Sequence, residues 1–264
     1  MRDFLVALQF LTRLTLYPKL EMTQAELARS VRVYPFVGLL IGSLLAGLFY
    51  CLAVLVQLPP LTVVILVLVS EIVLTGGLHL DGFMDAADGL LRYRPKEKIL
   101  EIMKDSRVGA NAVLALICLL LTKMAFLSSI PPNQLWIVVL MPTLSRWSLV
   151  YLAMYYPHAS PKGSLGAMVI GQTSPAGFRI STGLCGLLVL IIAWASWQLS
   201  AGPLLSVLLA GLVMWFAVLL TSRAVARAAM RKIGGITGDV LGAALELAEV
   251  VALLLGIASL RLLG

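Results

Sequence analysis

The sequence predicts an all-α, polytopic membrane bundle of about seven transmembrane helices, preceded by an N-terminal interfacial helix. Composition, the length of the apolar runs and the placement of basic residues all point there. Of 264 residues, 60% are hydrophobic and 12% charged, and the mean hydropathy is +0.99. A water-soluble globule of this size cannot bury so much apolar surface. Nearly charge-free runs fall at about 33–56, 60–76, 110–130, 135–154, 183–199, 204–222 and 240–260. Each is close to the roughly 20 residues that cross a bilayer as helix, the second being the shortest. The opening segment, MRDFLVALQFLTRLTLYPK, is broken at Arg13 and lacks a small-residue cleavage pattern. It reads as an amphipathic helix at the membrane surface rather than as a removed signal.

The basic residues set the expected orientation. With the chain start in the cytosol, 17 of the 20 Lys and Arg, all but Lys123, Arg146 and Arg261, fall on the cytosolic side. The opposite loops, around 57–60, 128–134 and 198–203, carry no charge, as the positive-inside bias requires. Topology therefore accounts for the net charge of +7. Basic residues dispersed over four loops argue against a nucleic-acid partner and for membrane lipids and phosphate substrates. Cys51, Cys118 and Cys185 each sit in an apolar run without paired spacing, which indicates packing rather than a disulfide or zinc framework. Without visible repeats or long linkers, residues 1–264 form one integral membrane domain. Its oligomeric state is left open.

The longest polar stretch, 77–108, holds six acids: Asp81, Asp85, Asp88, Glu97, Glu101 and Asp105. In HLDGFMDAADG, residues 79–89, the aspartates are spaced i, i+4, i+7, which on a helix stacks three carboxylates on one face. Such a face is costly unless a cation sits among the carboxylates. Hard oxygen donors favour Mg²⁺ or Mn²⁺ over Zn²⁺. The bland alternative is a solvated acidic face, against which stand Gly82 and Gly89, read as helix interruptions, and the position at the end of a span. Glu101 and Asp105 form a second i, i+4 pair beside Lys104 and Arg107, a mixture suited to a metal-bound diphosphate or to a simple ion-paired helix.

Charges inside spans carry more meaning. Glu71, Arg146, Glu246 and Glu249 all project into the cytosolic half of the bundle and face one cavity; Lys123, deeper, is unassigned. His79, two residues before Asp81, is open to metal ligation, proton relay or capping. His158, beside Tyr155, Tyr156 and Pro157, reads as an interfacial belt. GGITGDVLGA, 234–243, offers amides and a positive helix end to a phosphate, or Thr237 and Asp239 as caps. KGSLGAMVIGQTS, 162–174, is a flexible loop or a substrate wrap.

Three segments, GGLHLDGFMDAADGLL at 76–91, IMKDSRVGANAV at 102–113 and GGITGDVLGAALELAE at 234–249, resemble the signatures of the cobalamin-5′-phosphate synthase family, also called adenosylcobinamide-GDP ribazoletransferases. FLTRLTLYP and YPFVGLLIG extend the likeness to the N-terminus. The resemblance implies a bacterial inner-membrane, Mg²⁺-dependent step that joins adenosylcobinamide-GDP to α-ribazole or its 5′-phosphate and releases GMP. On that reading Asp81, Asp85 and Asp88 hold metal, with Glu71 a fourth carboxylate. Lys104, Asp105, Arg107, Arg146, Thr237 and Asp239 serve the phosphates, and His79 or a carboxylate handles the attacking hydroxyl. DAADGLLR, 85–92, is also similar to part of the CDP-alcohol phosphotransferase motif, but the Ala before Arg is missing and Glu101 and Asp105 match its downstream half poorly. Lipid headgroup transfer is therefore the alternative enzyme, and a cation- or proton-coupled transporter the alternative of another class.

Overall fold

The computed structural model describes residues 1–20, 22–159, 165–199 and 201–262, and these fold into eleven helices without a strand. α1 (Arg2–Leu11) buries Val6, Ala7, Leu8 and Leu11. Its Asp3 pairs with Arg29 at 2.9 Å and with Arg32, so the N-terminal helix is clamped to the protein as well as amphipathic. α2 (Gln24–Ser30) opens on a reciprocal capping box between Thr23 and Glu26, which satisfies two backbone donors at once. A short 3₁₀ turn leads into α3 (Tyr34–Tyr50), which ends in a π turn at Cys51–Leu55.

α4 (Pro60–Thr75) starts on a proline whose missing N–H costs a helix nothing at its first position. It stops at Gly76 and Gly77, with φ of +66° and +70°, values that L side chains adopt only with strain. There the chain turns by 91° into α5 (Leu78–Leu90), the helix that carries HLDGFMDAADG. The expected second span is thus a bent pair. Gly82 and Gly89 do not interrupt α5, which runs through both; the break lies earlier, where two consecutive left-handed glycines make it.

α6 (Lys96–Ile102) is a short surface helix, followed by α7 (Ala110–Ser128), α8 (Trp136–Tyr155), α9 (Pro175–Gln198), α10 (Leu204–Ile233) and α11 (Gly238–Leu262). Six segments, 24–55, 110–128, 132–155, 175–198, 204–233 and 238–261, are long and apolar enough to cross a membrane, and the bent pair would make seven. α8 and α11 form the centre, 83% and 67% buried over their most apolar windows, against 22–39% for the other four. The outer helices turn side chains such as Leu114, Ile117, Leu190 and Phe216 outward, as lipid-facing surfaces do.

α5 lies against the start of α11 at glycine contacts. A Cβ on Gly82 would stand 2.9 Å from the Asp239 Cα, and one on Gly242 would stand 2.7 Å from the His79 carbonyl oxygen. The two backbones touch because neither residue has a side chain. Replacing Gly242 with Val should wedge the helices apart and cost about 1–3 kcal/mol, the usual penalty of overpacking. Thermal unfolding in detergent will measure this, and an unchanged midpoint would show that the contact does not set the packing.

Candidate active site

The α5 aspartates share one stripe but meet three environments. Asp81 is exposed, Asp85 half-buried and Asp88 buried. The Asp88 carboxylate accepts from the backbone N–H of Gly109 at 2.5 Å and of Ala112 at 3.1 Å. It therefore caps α7, where a negative charge is favoured by the exposed N–H groups and the helix dipole. Gly109 leaves room for it, since a Cβ there would collide with both carboxylate oxygens. The same end of α5 is also held by Lys232 of α10, which donates to the Leu90 carbonyl.

Asp239 takes the place beside Asp81 and Asp85. The charge of Asp239 acts on Asp85 together with those of Asp81 and Asp88, and Asp239 in turn feels Asp81 and Lys104. Thr237 caps α11: its hydroxyl accepts from the Val240 N–H at 3.3 Å and donates to Asp239 at 3.1 Å. Asp81, Asp239, Thr237 and Lys104 all line one cavity of about 340 Å³, with His79, Tyr34 and His158 in its wall. The floor is fixed where Gly235 meets Pro157 and Ala159, through hydrogen bonds from Ala159 N–H to the Ile236 carbonyl and from Ile236 N–H to the Pro157 carbonyl, each 2.9 Å. Of the glycine-rich segment 162–174, residues 162–164 lie outside the described residues. Gly166 abuts Gly238 at the head of α11.

Other expected site residues are placed elsewhere. Asp105 lies beyond the end of α6 and grips Arg107 through both carboxylate oxygens, at 3.0 and 2.7 Å. That guanidinium holds the Asp105 carboxyl down to about 2. Glu101 pairs instead with Lys98 at 2.7 Å on the surface, so the second i, i+4 carboxylate pair is not formed. Glu71 and Arg146 belong to an internal ionic cluster centred on Lys123. Lys123 Nζ lies 3.6 Å from Glu71, 2.8 Å from Glu246 and 2.5 Å from Glu249; Glu249 also accepts from Arg146 and, at 3.0 Å, from Ser145. Every member is at least nine-tenths buried. His79 stands between this cluster and the cavity, feeling the charges of Arg146, Glu249 and Lys123. Its Nδ1 is buried without a partner among the described residues. Tyr34, which sequence reasoning missed, opens an apolar span and carries no charge to draw notice.

Among the described residues no three His, Cys, Asp or Glu side chains close on a single point to form a complete metal cage. Asp81 and Asp239 line the cavity together with Lys104, and the charges of both act on Asp85, so the carboxylates nearby offer hard oxygen donors beside a lysine. This fits a Mg²⁺ or Mn²⁺ ion that takes one or two protein carboxylates and completes its shell with phosphate oxygens and water.

The fold and these groups define a multi-pass α-helical membrane protein with a carboxylate- and lysine-lined pocket at a helix junction. The model of the cobalamin-5-phosphate synthase family matches residues 3–258, and the chain belongs to that family. It is 38% identical over 260 residues to the adenosylcobinamide-GDP ribazoletransferase of Desulfitobacterium hafniense, covering 96% of each chain. The proteins of the same name from Brevibacillus brevis, 36% identical over 98% of this chain and 99% of that one, and Fusobacterium nucleatum, 33% identical over 97% and 96%, are similar along their whole length. No solved structure matches. These similarities favour neither lipid headgroup transfer nor transport.

Glu249 bridges both buried cations, so Glu249→Ala should destabilise the protein by about 3–5 kcal/mol, the usual cost of leaving a buried charge without its partner. A thermal midpoint in detergent equal to that of the unaltered protein would refute the cluster's structural role.

Proposed function

We propose that this chain joins adenosylcobinamide-GDP to α-ribazole, or to α-ribazole 5′-phosphate, giving adenosylcobalamin or its 5′-phosphate and GMP. The reaction belongs to the bacterial cytoplasmic membrane, with the N-terminus and the pocket on the cytosolic side where the basic loops fall. The observation that carries this reading is the meeting of Asp81, Asp239 and Lys104 in the lining of one cavity, with the charges of Asp239 and Asp81 acting on the neighbouring Asp85, in a chain similar over its full length to ribazoletransferases.

A ribazole hydroxyl oxygen bonds to the phosphorus nearest cobinamide, and the bond from that phosphorus to the bridging oxygen breaks. GMP leaves with the bridging oxygen. His79 Nδ1, unpartnered in the cavity wall, orients the attacking hydroxyl and accepts its proton. Lys104 neutralises the phosphoryl oxygens as charge moves toward GMP, while the cavity holds acceptor and phosphorus in line. Asp81, Asp85 and Asp239 would hold Mg²⁺ or Mn²⁺, which would offset the diphosphate's charge. Asp88 positions α5 through its cap on α7, and Arg107, held by Asp105, stays at the rim.

Purified protein given adenosylcobinamide-GDP and α-ribazole should release GMP, and should release no CMP from a CDP-alcohol. EDTA should stop the reaction and Mg²⁺ restore it. Asp85→Asn should bring GMP release to background while the variant elutes and melts like the unaltered protein. A near-normal Mg²⁺-dependent rate in that variant would remove Asp85 from the site.

A further inference from the structure

Asp81 stands at the shared wall of two cavities of different character. The first is the recess of about 340 Å³ already described. The second is an open groove of about 660 Å³ on the other side of α5, lined by Arg13, Thr75, Asp81, Leu116 and Leu120. Volume separates the two substrates. The recess is at the small end of the roughly 300–1,000 Å³ that drug-sized ligands occupy. A nucleoside fits it; a corrin ring with its amide arms does not.

The lining chemistry agrees. Phe10, Leu100, Met103, Leu149 and Val169 give the recess an apolar wall suited to the dimethylated aromatic base of α-ribazole. Two of the residues that line it each hold a polar atom with almost no exposed surface, on side chains more than nine-tenths buried. One is His79 Nδ1; the other is the Tyr34 hydroxyl. Neither meets hydrogen-bond geometry among the described residues, although Ser30, whose own proton goes to the Leu27 carbonyl at 2.8 Å, is close to Tyr34. Orphaned polar groups in a buried wall mark places where a ligand atom restores the bond. α-Ribazole has two matching features: a base nitrogen with a free lone pair, and ribose hydroxyls.

We infer that the enclosed recess is the acceptor subsite, with Tyr34 donating to the base nitrogen of α-ribazole and His79 facing its ribose. The corrinoid donor lies in the open groove, and its diphosphate crosses between the two at Asp81. Arg13, which reaches the groove from the N-terminal segment and packs over Gly76, supplies a cation on the donor side. The inference rests on the ribazoletransferase reading for the identity of the two substrates. Tyr34 is a specificity-determining residue, since it touches the base and not the reacting atoms.

The test is a crossed comparison of KM values from GMP release by protein in nanodiscs. Tyr34→Phe removes one oxygen and should raise KM for α-ribazole about 3- to 10-fold, the worth of one neutral hydrogen bond. Leu100→Trp, on the surface helix α6, fills the recess and should raise it further. Both should leave KM for adenosylcobinamide-GDP unchanged. Leu116→Trp, in the groove, should do the reverse. Donor KM values that move with Tyr34 and Leu100, or α-ribazole KM values that do not, overturn the assignment. Titration with α-ribazole alone, followed by benzimidazole fluorescence, separates this from the underlying reading. Saturable binding weakened by Tyr34→Phe supports the recess even where no GMP is released, whereas binding unaffected by Tyr34→Phe and Leu100→Trp, or no binding at all, contradicts it.

Discussion

The contact of α5 with the first turns of α11 is the constraint on which the arrangement of the pocket depends. Two helices from distant parts of the chain approach until the backbone at Gly82 lies on Asp239 and Gly242 lies on the His79 carbonyl. That closeness brings Asp239 into the field of Asp81 and Asp85, and any larger side chain at either glycine would separate them. The rest of the local architecture holds α5 in place for this approach. Gly76 and Gly77 turn it away from α4, Asp88 ties it to the head of α7, and Lys232 covers its last carbonyls. A helix bearing three carboxylates is thus fixed at both ends and on one side before any ligand arrives, the preorganisation that charge-stabilising catalysis requires.

Beneath the site, the Lys123 cluster answers a different constraint. Three glutamates, a lysine and an arginine occupy the middle of a bundle otherwise filled with Leu, Val and Ala. Burying them carries a desolvation cost that only mutual pairing offsets. Their residues come from α4, α7, α8 and α11, so the pairing fixes the relative rotation of four helices at once. His79 lines the cavity and feels the charges of Arg146, Glu249 and Lys123, which couples the cavity wall to this internal frame.

Much of this was legible in the sequence because membranes impose simple rules. Run length gave an all-helical bundle of the right size, and the i, i+4, i+7 spacing put the three aspartates on one helix. Where the structure departs from what spacing suggests, one cause recurs: spacing says which residues share a face but not what that face meets. Asp88 belongs to the stripe yet is spent on the α7 N-terminus, and Glu71 and Arg146 are drawn into the Lys123 cluster. Glu101 and Asp105 part because α6 ends at Ile102. Gly82 and Gly89 read as breaks, since a glycine that permits close helix contact looks the same in sequence as one that ends a helix. Tyr34 was legible only as the first residue of YPFVGLLIG, one aromatic at the head of an apolar run with no charge to mark it for the cavity.

The central claim is that Asp81, Asp85 and Asp239, from two helices, make one site for a metal-bound diphosphate while Asp88 serves structure. Electron paramagnetic resonance of Mn²⁺ with the purified protein and adenosylcobinamide-GDP tests it most directly. The account predicts substrate-dependent Mn²⁺ binding that is lost alike in Asp85→Asn and Asp239→Asn and kept in Asp88→Asn. Binding that survives loss of Asp239 but disappears with Asp88 would contradict it.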